Sequence, residues 1–195
     1  MFSFIHVSNL VTYMSLAFGI LAVLESKGNA YALTAFFIGA SCLCDLFDGL
    51  WASRFKRGDN EKKVGAELDS LSDAIVFGAV PVFSLVACGQ VGILFYLCSL
   101  AYFISCVTRL SYYNVFSQED REGFLGIPTT IIGILWMPVF LIPSLRNLTS
   151  VWLIIFAGLM VMPVKIRRPG RTFFISLVCV LLAWMLWSFI YYLRG

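Results

Sequence analysis

Four aspartates in the first half of the chain have the spacing of a cation site. Asp45 and Asp48 lie three residues apart at the end of one apolar run, and Asp69 and Asp73 lie four apart early in the next. Residues three or four apart share a helical face, so each pair presents its carboxylates in one direction. An unpaired Asp at the centre of a membrane helix costs roughly 2.5 to 3.5 kcal/mol on insertion scales, less near the interface, so four together call for a compensating positive charge. The short loop between the two runs makes their helices antiparallel neighbours, and the pairs can then converge. Oxygen-only ligands suit hard cations such as Mg2+, Mn2+ or Ca2+, and zinc is not expected without His or Cys. Divalent ions held in this way equip a site for phosphoryl transfer.

Small residues accompany the acids. Gly49 comes one turn after Asp45, Ala52 one turn after Asp48, and Gly65 one turn before Asp69. They leave room either for a ligand beside the metals or for a close helix contact of the small-xxx-small kind. The acids on the same faces favour the ligand pocket.

The elements that must position these residues are membrane helices. The 195 residues are 60% hydrophobic and only 13% charged, with a mean hydropathy of +0.89, unlike a soluble globular domain. A spanning helix needs about 20 mostly apolar residues. Apolar runs predict spans near 8–25, 30–53, 65–88, 91–113, 127–144, 148–163 and 171–193, after a short amphipathic segment at 1–7. The 148–163 run is short for a crossing. The first run lacks a basic leader and is followed at once by further spans, so it reads as a membrane helix rather than a cleaved signal. The expected fold is an all-α polytopic membrane protein, a bundle of about six to seven transmembrane helices forming a single domain over 1–195.

Charge sets the orientation. Seven crossings that start in the cytoplasm put Arg54, Lys56, Arg57, Lys62, Lys63, Arg109, Arg121, Lys165, Arg167, Arg168 and Arg171 inside, against Lys27, Arg146 and Arg194 outside, as the positive-inside rule requires. Most of this basic cluster reads as solvated loop and topology anchor beside anionic membrane lipids, and no nucleic-acid partner is expected. The six cysteines, Cys42, Cys44, Cys88, Cys98, Cys106 and Cys179, fall in apolar runs without metal or disulfide spacing and read as small packing residues. His6, the only histidine, reads as interfacial, and the acceptor-like Asn147-Leu148-Thr149 abuts a span and carries no weight.

Read together, D-x-x-D-G-x-x-A at 45–52 and G-x-x-x-D-x-x-x-D at 65–73 resemble the signature of the CDP-alcohol phosphotransferase family. The stretch Gly65 to Asp73 with Phe77-Gly78 and Pro81 is similar to the phosphatidylserine synthase branch. So are Arg109-Leu110-Ser111-Tyr112-Tyr113-Asn114 and Phe124-Leu125-Gly126-Ile127-Pro128, and Asn9, Thr12 and Gly19 match the family's opening helix. The resemblance covers 9–128. Ser53 stands where the family has Arg, with Arg54 after it, and the linker to Gly65 is longer than usual. Ser15 replaces an asparagine of that branch, and Val76 a serine.

The resemblance implies transfer of the phosphatidyl group of CDP-diacylglycerol to L-serine with release of CMP. Sibling enzymes use glycerol phosphate, inositol phosphate or choline instead. It implies two Mg2+ or Mn2+ ions, about 3.5 to 4 Å apart, which neutralise the pyrophosphate and stabilise the leaving oxygen. Asp45, Asp48 and Asp69 are then the first metal ligands, while Asp73 also borders the metals and is the general base for the serine hydroxyl. Gly49, Ala52, Ser53 and Gly65 border the cytidine diphosphate, and Arg54 reaches a phosphate or the nucleotide. Arg109 and Asn114 are substrate-side candidates. Arg109 either forks onto a phosphate or the serine carboxylate, or anchors at the interface by snorkelling. The family is usually homodimeric, and the expected location is a bacterial or archaeal cell membrane with the site facing the cytoplasm. A cation transporter would also carry intramembrane acids, but it leaves their interfacial position and small-residue neighbours without a purpose.

Overall fold

A computed structural model describes residues 6–27, 30–116, 123–167 and 170–194. A 3-10 turn at Val7–Asn9 leads into α1 (Leu10–Glu25), followed by α2 (Tyr31–Ala52) and α3 (Asp59–Asp73). α3 passes through a π-helical stretch, Ala74–Ala79, into α4 (Val80–Ala87), and α5 follows at Ile93–Phe116. The second half holds α6 (Thr129–Leu141), the single turn α7 (Pro143–Arg146), α8 (Thr149–Val161) and α9 (Arg171–Arg194). Two short strands, β1 (Gly123–Leu125) and β2 (Lys165–Arg167), pair antiparallel with Phe124 opposite Ile166. The fold is the expected all-α membrane bundle, with this one ribbon tying the start of α6 to the end of α8. Most of the amphipathic segment at 1–7 lies outside the described residues, as do Arg121 and Arg168.

Among the described residues, five helices are long and apolar enough to cross a bilayer: Val7–Glu25, Tyr31–Ala52, Asp59–Ala87, Ile93–Phe116 and Arg171–Arg194. The runs expected at 127–144 and 148–163 give shorter helices of 13 residues each, about 20 Å at 1.5 Å per residue. Proline ends both. Ile142 precedes Pro143 and turns extended (φ −99°, ψ 113°), and Met162 precedes Pro163 and does the same (φ −62°, ψ 138°), because a residue before proline is crowded out of the helical region. In contrast, α3 begins six residues before its apolar run. Gly58 N donates to Glu61 Oε2 at 2.9 Å, capping a polar first turn that extends the helix outward.

α2 is the hub, packing against α1, α6 and α9, while α8 lies along α5. In a bundle surrounded by lipid, close packing and buried hydrogen bonds replace the hydrophobic effect between helices. Ser15 and Ser41 link α1 to α2: Ser41 Oγ donates to Ser15 O at 2.5 Å, and the two hydroxyls are 2.9 Å apart. Gly133 brings α6 against α2 and the π stretch, where an added Cβ would fall 2.7 Å from Cys42 Sγ and from Phe77. The core continues through Ile38, Phe77, Tyr102, Trp136, Phe140 and Phe156. Tyr102 Oη donates to Phe77 O within the π stretch and accepts from Trp136 Nε1 at 2.9 Å, so a backbone carbonyl displaced from α-helical pairing has a buried partner. Cys42, Cys88, Cys98 and Cys106 are buried free thiols, Cys44 is half-buried, and Cys179 lies exposed on α9.

Candidate active site

The acidic pairs meet across two antiparallel helices. Asp45 of α2 lies within hydrogen-bonding reach of Asp73, and Asp48 within reach of Asp69, which makes two rungs between the end of α2 and the end of α3. Carboxylate oxygens of Asp45, Asp48 and Asp69 all lie within 4.8 Å of one another. Asp73 stands beside this triad on the Asp45 side. Among the described residues, the ion pair found is Lys62 with Asp59 at 3.6 Å, and it includes none of the four acids. Three converging oxygen donors, with no Lys or Arg among the described residues in a salt bridge to them, fit a hard divalent cation.

Hydroxyls hold the carboxylates from the other helices. Thr12 of α1 donates to Asp48 Oδ2 at 3.1 Å, Thr130 to Asp45 Oδ2 at 2.5 Å, and Thr129 to Asp73 Oδ2 at 2.9 Å. Thr129 and Thr130 open α6, whose N-terminal dipole favours negative charge nearby. Gly126 makes their placement possible. At φ 71° it adopts a left-handed conformation, and an added Cβ would lie 2.1 Å from Met160 O. Its N–H donates to Val164 O at 3.1 Å, and that of Ile127 to Leu159 O at 3.0 Å, so the chain entering α6 is fastened to α8 and to the segment just after it.

The acids separate two cavities that share Asp48, Ala66 and Asp69. The larger, about 400 Å³, is bordered by Asp45, Asp73, Lys63, Arg109, Asn114 and Thr129. The smaller, about 170 Å³, is bordered by Asn9, Gly49, Ala52, Arg57, Lys62 and Gly65. A Cβ on Gly49 would meet nothing within 4 Å, whereas one on Gly65 would come 3.2 Å from Arg57 Nη1 and from Asn9 Oδ1. The small residues thus open onto a cleft, and they are not consumed by a helix contact.

Other expected site residues are distributed less simply. Arg54 lies on another face, beside Val11, Phe47, Leu50 and Trp51, and Ser53 Oγ donates to Leu50 O at 2.8 Å. Arg57 is the guanidinium in the small-residue cleft. The loop from Ser53 to Gly58 leaves α2 before turning back, so sequence adjacency to Ala52 does not bring Arg54 to the cleft. Arg109 is only 8% exposed, its Nη1 donates to Thr129 Oγ1 at 3.4 Å, and its Nε has no protein partner. That burial is not the geometry of a snorkelling anchor. Asn114 Oδ1 accepts from Ser70 Oγ at 3.0 Å at the cavity edge. Thr129 and Thr130 were not singled out from sequence; two hydroxyls after Pro128 at the head of an apolar run were the available signal.

A bundle of apolar helices long enough to cross a bilayer, with a carboxylate cluster between two of them, defines an integral membrane protein. The chain belongs to the CDP-alcohol phosphatidyltransferase family, whose profile matches residues 5–164. Relatives named CDP-diacylglycerol--serine O-phosphatidyltransferase include that of Helicobacter pylori, 30% identical over 132 residues, covering 65% of this chain and 54% of that protein. The Bacillus subtilis protein of that name is 29% identical over 129 residues, covering 64% and 69%. That of Methanocaldococcus jannaschii is 27% identical over 177 residues, covering 90% and 81%. The chain thus spans about half the length of the Helicobacter relative and most of the archaeal one.

Proposed function

We propose that this protein transfers the phosphatidyl group of CDP-diacylglycerol to L-serine, releasing CMP, at a site that uses Mg2+ or Mn2+ and faces the cytoplasm of a bacterial or archaeal cell. The observation that carries the reading is the carboxylate cluster standing between two cavities with different linings. The smaller cavity, with Gly49, Ala52, Gly65 and Arg57, suits the cytidine diphosphate: small residues admit it and a guanidinium meets a phosphate. The larger, with Arg109, Asn114 and Asp73, suits the incoming amino acid, whose carboxylate would pair with the buried guanidinium. Bound divalent ions would neutralise the pyrophosphate and stabilise the leaving phosphate oxygen. Asp45, Asp48 and Asp69 are the residues that would hold them.

In the net reaction the serine hydroxyl oxygen bonds to the phosphatidyl phosphorus as the bond from that phosphorus to the CMP oxygen breaks. Asp73 takes the hydroxyl proton, without which the alcohol is a poor nucleophile. The expected assembly is a homodimer. The test is purified protein supplied with CDP-diacylglycerol, Mg2+ or Mn2+, and labelled serine, glycerol phosphate, inositol phosphate or choline in parallel. Label entering lipid from serine, with CMP released in equal amount, supports the reading. Label from another acceptor reassigns the enzyme to a sibling activity, and absence of CMP release with every acceptor overturns the transferase reading.

A further inference from the structure

The first turn of α6 touches the acidic site through two hydroxyls, and one of them sits between an arginine and the proposed base. We propose that Thr129 is a positioning residue that fixes Asp73 for proton abstraction by tying it to Arg109. The inference rests on the reading of Asp73 as base. Thr129 is buried, with Arg109 Nη1 at 3.4 Å on one side and Asp73 Oδ2 at 2.9 Å on the other. A guanidinium only donates, so the threonine oxygen accepts from Arg109, and its single proton is directed to Asp73. The order of donation along the chain is therefore fixed: arginine, threonine, aspartate. One oxygen of Asp73, Oδ2, is held in this way.

The threonine is itself held by the segment that precedes it. Pro128 is the N-cap of α6, Ile127 is pinned to α8 through Leu159 O, and Gly126 to the segment just after α8 through Val164 O. Thr129 is 1% exposed. Losing its hydroxyl would leave two buried polar partners unbridged and free the carboxylate to rotate, the kind of small misplacement that catalysis penalises heavily.

Thr129→Val removes the hydroxyl at nearly constant shape, and Thr129→Ser keeps it. The expected result is a kcat about ten- to a hundredfold lower for Thr129→Val, with KM for CDP-diacylglycerol and Mn2+ affinity, read by electron paramagnetic resonance, changed less than about threefold, and most of kcat restored in Thr129→Ser. Thr129→Ala serves in place of the valine variant if that variant does not fold. Wild-type kcat in the variant lacking the hydroxyl, or equal loss in Thr129→Ser, overturns the inference. Asp73→Asn measured alongside separates the two readings. Full turnover in Asp73→Asn removes the base and this inference with it, whereas an inactive Asp73→Asn beside an active Thr129→Val removes only the role of Thr129.

Discussion

Carboxylates within hydrogen-bonding reach of each other repel unless a proton or cation lies between them. The rungs Asp45–Asp73 and Asp48–Asp69 bring four such groups together where α2 and α3 meet, so cation binding should depend on each member of the triad. Asp48→Ala should abolish transferase activity and weaken Mn2+ binding at least about tenfold, measured by paramagnetic resonance on the purified protein. Unchanged Mn2+ affinity in that variant would exclude Asp48 as a ligand. The four acids were legible in the sequence because helix periodicity alone says which residues share a face. Arg57 and Thr129 were not, because their approach to the acids depends on a loop returning and on a helix from the other half of the chain. Arg54 shows the reverse case, adjacent to the signature in sequence and turned away from it in space.

At the scale of elements, hydropathy located the longer helices among the described residues but missed the single turn α7 and misjudged several ends. Ile142 and Met162 leave the helical region because prolines follow them, a local rule that shortens α6 and α8 to 13 residues regardless of how apolar their surroundings are. The polar extension of α3 back to Asp59 is invisible to a hydropathy reading, since those residues lie beyond the apolar stretch. Nor could periodicity reveal that Gly126 is the point where the ribbon, α6 and α8 converge, because its need for a positive φ arises from tertiary contact. Gly126→Ala combines an unfavourable backbone with a collision against Met160 O. It should lower stability by about 1 to 3 kcal/mol, seen as an earlier thermal transition in detergent. Turnover should fall as well, because Thr129 and Thr130 would lose their register against Asp73 and Asp45. An unchanged transition would mean that this loop is not held as described.

For the whole molecule, the acidic site, the segment from Lys56 to Lys63 at the start of α3 and the ribbon containing Lys165 and Arg167 lie toward one end of the bundle. Arg146 stacks 3.7 Å over the Tyr31 ring at the other. If the site faces the cytoplasm, a cysteine introduced at Lys56 in a cysteine-free background should react with a membrane-impermeant thiol reagent in inverted vesicles and not in intact cells, and one at Lys27 should show the opposite pattern. The reverse result would invert the topology and take the site away from cytoplasmic nucleotide. The π-helical stretch has its own consequence for how such a chain can change. It lies between the acid-bearing half of the 59–87 helix and the half packed on α1, and it carries an extra residue relative to α-helical winding. Removing that extra residue would return the stretch to α-helical winding with its two halves in phase, whereas inserting one more residue between Ala74 and Ala79 would turn the preceding half through about 100° relative to α4. Asp69 and Asp73 would swing off Asp45 and Asp48 while every side chain of the site was still present. The number of residues in that stretch is therefore a phase setting between chemistry and packing, one that a residue-by-residue comparison of the signature would not detect.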